Sequence, residues 1–121
     1  MKGLGNDIIE IERIRKTIER HATHFYKKIF TERELDYCLK HQDPALSLAG
    51  RFSAKEAIAK ALGTGFGKSI SWLDIEILND ENGRPYVEFS DSFNQSFSHP
   101  KILISISHCK TYATAVAIWT Q

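Results

Sequence analysis

The chain has 121 residues, of which 42% are hydrophobic and 26% charged, a globular profile without the polar bias of disorder, and it predicts one domain over residues 1–121. Its formal net charge of +1 gives no overall field toward nucleic acid or an anionic membrane, so neither partner is predicted. The absence of a signal-like N-terminus and of any apolar run of about 18 residues predicts a cytoplasmic protein.

The first part of the chain is predicted to hold a strand and two helices. Residues 3–11 are typical of a β-strand, and from Ile11 the apolar residues recur at helical spacing, at positions 11, 14, 18, 22, 25 and 29. Thr31 and Glu34 fit a capping box, in which each side chain bonds the backbone N–H of the other residue. This box predicts a second helix that runs to about His41.

A third and longer helix is predicted from Pro44 to about Leu62. Asp43 fits its N-cap, Pro44 fits its first turn, and Gly63 is available for the left-handed conformation that ends many helices.

The second half of this helix, residues 51–62, is predicted to be amphipathic. With about 100° per residue, Ser53, Glu56 and Lys60 lie opposite an apolar face. That face consists of Ala54, Ala57, Ile58, Ala61 and Leu62. Glu56 and Lys60 fit an ordinary surface ion pair worth about 0.3–0.5 kcal/mol. Phe52 and Ala59 also fall on the polar side, which favours the alternative that this side lines a cleft.

The second half of the chain has the hydrophobic period of strands. Apolar and acidic residues alternate over 73–77, and DENGRP is typical of a turn into PYVEF, so a hairpin is predicted. A helical segment over 90–98 precedes the runs KILISIS and YATAVAIW, which favour central strands. Helices early and antiparallel strands late predict an α+β fold.

Three features have both a structural and a functional interpretation. The loop GTGFGKS offers unobstructed backbone N–H groups beside Lys68 and Ser69, which suits phosphate oxygens, although glycine after a helix is more often only a cap. Asp7 lies in an apolar strand, where it serves either in an ion pair or cap or as a metal ligand. His108 ends a strand, where it is either a structural, hydrogen-bonded residue or a functional one. Cys38 and Cys109 lack the spacing of a zinc site or a disulfide framework.

Three motifs together resemble one family. GLGNDI, AGRFSAKEAIAKALGTGFG and ISISHCKTYA stand in the order found in the short bacterial holo-[acyl-carrier-protein] synthases of the 4′-phosphopantetheinyl transferase superfamily. The resemblance covers nearly the whole chain. It implies transfer of 4′-phosphopantetheine from coenzyme A to a serine of apo acyl carrier protein, in fatty acid biosynthesis, with release of adenosine 3′,5′-bisphosphate. It also implies N-terminal helices packed on a small, mainly antiparallel sheet.

The resemblance assigns roles to individual side chains. Asp7 and Glu56 match carboxylates that hold Mg²⁺, with Mn²⁺ as the alternative ion, and Lys60 matches a lysine of the phosphate site, so these three are the implied catalytic residues. The acceptor serine must lose its proton, and Glu56 or a water on the metal could accept it. The implied coenzyme A contacts are Arg51, Lys60, Gly63, Thr64, Gly65 and His108.

The first predicted helix carries a basic ridge opposite its apolar stripe. The ridge consists of Arg13, Lys16, Arg20 and Lys27. In an unknown protein such a ridge is usually a solvated face. The resemblance makes it a docking surface for the acidic carrier protein, with Arg13 and Arg20 at matching positions, and also implies a homotrimer with active sites between subunits.

Two other functions fit part of the same residues. A Mg²⁺-dependent nucleotide phosphohydrolase would use the metal and phosphate residues but would need no acidic partner. A non-catalytic adaptor would use only the basic helix, and Asp7 and Glu56 would then be dispensable.

Overall fold

The order of helices and strands confirms the α+β prediction. The computed structural model describes residues 1–67 and 70–121. In it the chain forms β1 (Gly3–Glu10), α1 (Ile11–Ile29), α2 (Glu32–Cys38), α3 (Pro44–Leu62), a 3₁₀ turn (Trp72–Asp74), β2 (Ile75–Asn79), β3 (Pro85–Phe89), α4 (Asp91–Phe97), β4 (Ile102–His108) and β5 (Tyr112–Trp119).

The strands form an antiparallel sheet and a separate hairpin. The sheet has the order β1-β5-β4, with Asp7 opposite Ala115 and Ser105 opposite Val116, and β2 pairs antiparallel with β3. The prediction of two central strands is correct for β5 and wrong for β4, which is an edge strand. One face of the sheet packs on α3, and the other, here called the outer face, is exposed. The outer face includes Leu4, Ile8, Leu103, Tyr112 and Val116.

Helix α3 lies unusually close to β1. A Cβ atom on Gly5 would lie 2.0 Å from the carbonyl oxygen of Ala57, and one on Gly3 would lie 2.0 Å from that of Ala61. Since no side chain fits at these distances, the two glycines allow the helix to rest directly on the strand. Asp7, which follows Gly5 on the same face of the strand, is thereby brought to the surface of α3.

The prediction that residues 51–62 form an amphipathic helix holds only in part: the apolar face is buried and Glu56 and Lys60 are accessible, but most of the rest of the polar side is not. Ser53, Lys55 and Ala59 are buried as fully as the apolar side of the helix. The physical reason is that α3 lies between the sheet and a second group of elements, α1 and β2, and therefore has protein on almost every side.

The predicted ends of several elements need correction. Helix α2 ends at Cys38 rather than near His41, and residues 72–74 form a 3₁₀ turn before β2, so that Leu73 is exposed. The capping box of Thr31 and Glu34 is confirmed, as is the left-handed Gly63 that ends α3. Asp43 occupies the N-cap position of α3, but its carboxylate accepts from Arg15 at 2.7 Å instead of capping the helix.

Helix α1 is interrupted by a kink. His21 has non-helical backbone angles, with φ −143° and ψ 41°, so the helical phase changes there. Arg13, Lys16 and Arg20 lie before the kink and Lys27 lies after it. The basic ridge is therefore continuous only over the first part of the helix. Across the described residues, we find no helix with the length and apolar character needed to cross a membrane.

Candidate functional site

Two carboxylates that are distant in the sequence line one cavity. Asp7 comes from β1 and Glu56 from α3, and they share a cavity of about 360 Å³ with Arg13, Phe25 and Phe52. Phe52 thus lies in a cleft, as the sequence alternative suggested. The approach of α3 to β1 at the two glycines is what brings these acidic side chains together.

Asp7 is held by three side chains. The Ser53 hydroxyl lies 3.1 Å from Oδ2 of Asp7, and the Thr114 hydroxyl donates to its backbone carbonyl at 2.8 Å. Nζ of Lys60 donates to Oδ1 of Asp7 at 3.2 Å and to the carbonyl of Asn6 at 3.0 Å. Lys60 therefore forms its ion pair with Asp7, and within the described residues the predicted surface pair with Glu56 is not observed.

The pKa of Glu56 is shifted by its surroundings, including the negative charge of Asp7. Partial burial raises the pKa of its carboxyl above the ordinary value, the charge of Asp7 raises that pKa further, and Lys60 opposes both effects. Two carboxylates that face one cavity and repel each other are stabilised by a cation placed between them.

The cavity fits a hard divalent cation. Mg²⁺ is typically held by one or two protein carboxylates and keeps water or phosphate oxygens in its remaining positions. Asp7 and Glu56 provide two carboxylates, and in the part of the chain that is described no cluster of three or more His, Cys, Asp or Glu side chains occurs. The donor set thus matches a Mg²⁺ site completed by substrate better than a closed structural site.

A second cavity contains Arg51 and His108. Its volume is about 460 Å³, and its walls also include Tyr37, Ser47 and Gly50. The Arg51 guanidinium is buried: Nη1 donates to the Ser47 hydroxyl at 3.1 Å, Nη2 donates to Asn79, and the group lies 4.6 Å from the Tyr37 ring centre. Arg51 and His108 are therefore brought together, but in a different cavity from the carboxylates.

The glycine loop makes fewer backbone donors available than the sequence suggested. The N–H groups of Gly63 and Thr64 bond the carbonyls of Ala59 and Lys60, so they close the end of α3. Gly65 is exposed, whereas Lys68 and Ser69 lie outside the described residues.

Two buried polar atoms stand out, one on α3 and one just beyond its end. Among the described residues, Nε of Arg51 and Oγ1 of Thr64 are buried side-chain atoms without a hydrogen-bond partner. Buried polar groups are normally satisfied, so such atoms point to a missing partner. Both residues had been selected from the sequence.

The basic ridge is exposed on α1. Arg13, Lys16 and Arg20 are solvent-exposed, while Ile11 and Ile14 on the opposite side are buried, as predicted. Arg13 also lines the carboxylate cavity, so the ridge and that cavity form one continuous surface.

Sequence reasoning missed two buried residues beside the site. Lys55 and Glu34 form an ion pair at 2.7 Å, and both side chains are fully buried. Glu34 was interpreted only as a capping residue, and Lys55 was not singled out. The available signal was that Lys55 lies, at helical spacing, beside the apolar residues Ile58 and Leu62.

The fold and these side chains define an enzyme class. A pair of carboxylates with an adjoining lysine, and a separate cavity that contains Arg51 and His108, suit chemistry on a phosphate-bearing substrate. Residues 3–117 match the profile of the 4′-phosphopantetheinyl transferase superfamily. The chain belongs to this family, and the family and transferase class expected from its motifs are confirmed.

Named relatives are similar over almost the full length. The chain is 60% identical over 119 residues to a holo-[acyl-carrier-protein] synthase of Protochlamydia amoebophila, covering 98% of each chain. A holo-(acyl-carrier-protein) synthase of Bacillus anthracis in complex with CoA (3′,5′-ADP) is 38% identical with a TM-score of 0.84, over 98% of this chain and 95% of that one. The Helicobacter pylori synthase in complex with coenzyme A is 34% identical with a TM-score of 0.88, over 97% and 99%.

Proposed function

We propose that the protein transfers the 4′-phosphopantetheine group from coenzyme A to a serine hydroxyl of apo acyl carrier protein, releasing adenosine 3′,5′-bisphosphate. The observation that carries this proposal is the meeting of Asp7 and Glu56 in one cavity, with Lys60 bonded to Asp7. The relatives named above act on this carrier protein by name, and two of them are described with coenzyme A or its nucleotide part.

At the reacting phosphate, the chain supplies the carboxylates of Asp7 and Glu56 and the ammonium group of Lys60. Asp7 and Glu56 would hold Mg²⁺, which supplies neutralising charge to the pyrophosphate oxygens and to the leaving phosphate. Ser53 and Thr114 fix Asp7, so its carboxylate needs little reorganisation. The Lys60 side chain is about half exposed, at 53%, and can turn from Asp7 to a phosphate oxygen.

At the nucleotide end, Arg51 and His108 are the proposed contacts to the 3′-phosphate. The planar guanidinium of Arg51 suits phosphate oxygens, and its position is fixed by Ser47, Asn79 and Tyr37. The unpartnered Nε of Arg51 supports a ligand in this cavity, whereas the unpartnered Oγ1 of Thr64 lies beyond the end of α3 and outside it. Gly65 is proposed to border the nucleotide.

The acceptor is proposed to dock on α1. Arg13, Lys16 and Arg20 form an exposed basic surface that leads into the carboxylate cavity, and acyl carrier proteins are acidic. Complementary charge of this kind steers association and fixes orientation.

Reversal of one docking charge tests this surface. We expect Arg20→Glu to raise the KM for carrier protein about tenfold, because it places a negative charge against an acidic partner. The KM for coenzyme A should stay unchanged, and added salt should reduce the difference between variant and wild type. Lys101→Glu, a charge reversal on an exposed residue of another surface, is the control. Equal increases of both KM values would contradict docking on α1.

We also propose a homotrimer with active sites between subunits. The outer face of the sheet exposes Leu4, Ile8 and Leu103 by 60%, 65% and 64%, which is typical of a protein contact surface. The carboxylates and the pair Arg51 and His108 line different cavities, so a neighbouring copy can complete a site that one chain divides.

Complementation between subunits tests this assembly. Glu56→Gln and His108→Ala each impair one half of the proposed site. When the two variants are co-expressed and assayed at low coenzyme A, we expect more transfer than the sum of the separate proteins, because mixed assemblies contain one intact site. Purely additive activity, or a monomer in sedimentation analysis, would contradict sites between subunits.

The proposed reaction itself is tested by mass spectrometry. Apo acyl carrier protein is incubated with this protein, coenzyme A and Mg²⁺, and its mass should increase by one phosphopantetheine group. The same carrier protein with its acceptor serine changed to alanine is the control. No mass increase with the unmodified carrier, or an equal increase in the control, would overturn the proposal.

A further inference from the structure

The buried ion pair of Lys55 and Glu34 lies directly behind the candidate site. Lys55 precedes Glu56 in α3, and its side chain points about 100° away from that of Glu56 around the helix, into the protein. Its Nζ donates to three oxygens: Oε1 of Glu34 at 2.7 Å, the carbonyl of Ile29 at 2.6 Å and the carbonyl of Trp72 at 3.1 Å. All three hydrogens of the ammonium group are therefore used.

Glu34 accepts three hydrogen bonds, one of them from Lys55. Its Oε1 also accepts the backbone N–H of Thr31 at 2.9 Å, and its Oε2 accepts that of Ile77 at 2.9 Å. The network thus joins α3 to α2, to β2, to the end of α1 and to the 3₁₀ turn.

Stability alone is a weak explanation for this pair. Burial lowers the pKa of Lys55, because the ammonium has lost its water, and the charge of Glu34 opposes that shift. In other proteins, well-packed apolar residues replace a buried ion pair without loss of stability, and often with a gain. What the charged pair adds is a fixed geometry, since each hydrogen bond is met only in one arrangement of the elements.

The elements that the pair fixes are those that carry the docking surface and the wall of the site. Ile29 is the last residue of α1, after the kink at His21, and it belongs to one apolar cluster with Ile11 and Ile14 of the part that carries Arg13 and Arg20. The Trp72 ring stacks on Phe52 with ring centres 5.0 Å apart. Phe52 in turn lines the cavity of Asp7 and Glu56.

We propose that Lys55 and Glu34 are positioning residues for the acceptor: they hold α1 and the Phe52–Trp72 wall at a set distance from the two carboxylates. A carrier protein that docks on α1 then presents its serine at the reacting phosphate. This inference rests on the proposed function. It predicts that loss of the pair impairs use of the carrier protein, whereas the Arg51 cavity still binds coenzyme A.

The test compares three variants, chosen so that a loss of stability can be told apart from a loss of positioning. Lys55→Met removes the ammonium and leaves Glu34 buried without its partner. The double variant with Lys55→Met and Glu34→Gln leaves no charge at either position of the pair. Phe93→Leu is the control, because Phe93 is a buried residue of α4 that does not line either cavity.

In Lys55→Met we expect kcat/KM for carrier protein to fall about tenfold or more, while the Kd of coenzyme A changes less than about twofold. The double variant should be more stable than Lys55→Met yet keep the defect toward carrier protein. In a Trp119→Phe background, which leaves Trp72 as the reporter, both should show altered Trp72 emission in the folded state. Phe93→Leu should lose stability without any of these changes.

Three results distinguish failure of this inference from failure of the proposed function. If Lys55→Met and the double variant have the kinetic constants of Phe93→Leu, the pair is only structural and the inference is wrong. If Lys55→Met does not fold, the kinetic constants of the double variant are compared with those of Phe93→Leu instead, and equal constants make the inference wrong. If the wild-type protein transfers nothing, the proposed function fails instead.

Discussion

The Glu56→Gln variant is expected to lose phosphopantetheine transfer by about 1,000-fold or more, because it removes one of two carboxylates from the proposed cation site without changing the side-chain shape. Transfer is measured as the mass increase of carrier protein, and metal affinity by titration with Mn²⁺ as a paramagnetic probe. Both should be lost together. Glu81→Gln, in the exposed turn between β2 and β3, is the matched control and should behave as wild type.

The same variant should not be less stable than the wild type. Folding raises the pKa of Glu56, so the metal-free wild type loses stability as the pH rises through that pKa, when the carboxyl must ionise beside Asp7. Glu56→Gln has no such loss. In EDTA we expect equal melting temperatures near pH 4 and a higher melting temperature for the variant at pH 7. Full activity in Glu56→Gln, or a variant that is less stable at pH 7, would contradict the assignment of Glu56.

Gly5→Ala is expected to have the largest effect on folding. Its Cβ would lie 2.0 Å from the carbonyl oxygen of Ala57 and 2.7 Å from the backbone nitrogen of Ala61. Both atoms belong to the backbone of α3, so no side chain can move aside, and the helix must separate from the strand. We expect a loss of about 3 kcal/mol or more in the free energy of unfolding.

Urea denaturation measures this effect, and Asn6→Ala is the control. Asn6 is the next residue of β1, but its side chain points to the exposed outer face. Its substitution should change stability by less than about 0.5 kcal/mol. If Gly5→Ala retains wild-type stability, the close contact of α3 with β1 does not hold. Any Gly5→Ala protein that still folds should bind metal more weakly, since Asp7 and Glu56 would lie farther apart.

Local sequence signals predicted most of the elements. Thr31 with Glu34 begins α2, and Gly63 ends α3, because these caps depend on hydrogen bonds between residues a few positions apart. The spacing of apolar residues predicted α1, and alternation predicted the β2–β3 hairpin. The kink at His21 was not predicted, since it carries no proline or glycine. The 3₁₀ turn at residues 72–74 was not predicted because strand alternation already begins at Leu73, and the capping box of Ser71 and Asp74 that starts the turn was overlooked.

In the candidate site too, the sequence indicated which residues matter but not all of their contacts. The family motifs selected Asp7, Glu56 and Lys60, but from the sequence Lys60 was equally suited to a surface pair with Glu56. Its bond to Asp7 depends on where β1 crosses α3. Similarly, backbone N–H groups after a helix look available in a sequence, whereas in the folded chain those of Gly63 and Thr64 are used to end α3.

By itself, then, the sequence determined the family, the order of helices and strands and the identity of the acidic and basic side chains, because these depend on residue type and on contacts between near neighbours. The tertiary structure alone decided which of them meet. Asp7 reaches Glu56 because Gly3 and Gly5 let α3 rest on β1, and Lys55 is buried because α3 has protein on both sides. Such contacts join residues far apart in the chain, and the shape of the packed backbone, rather than any local pattern, sets their distances.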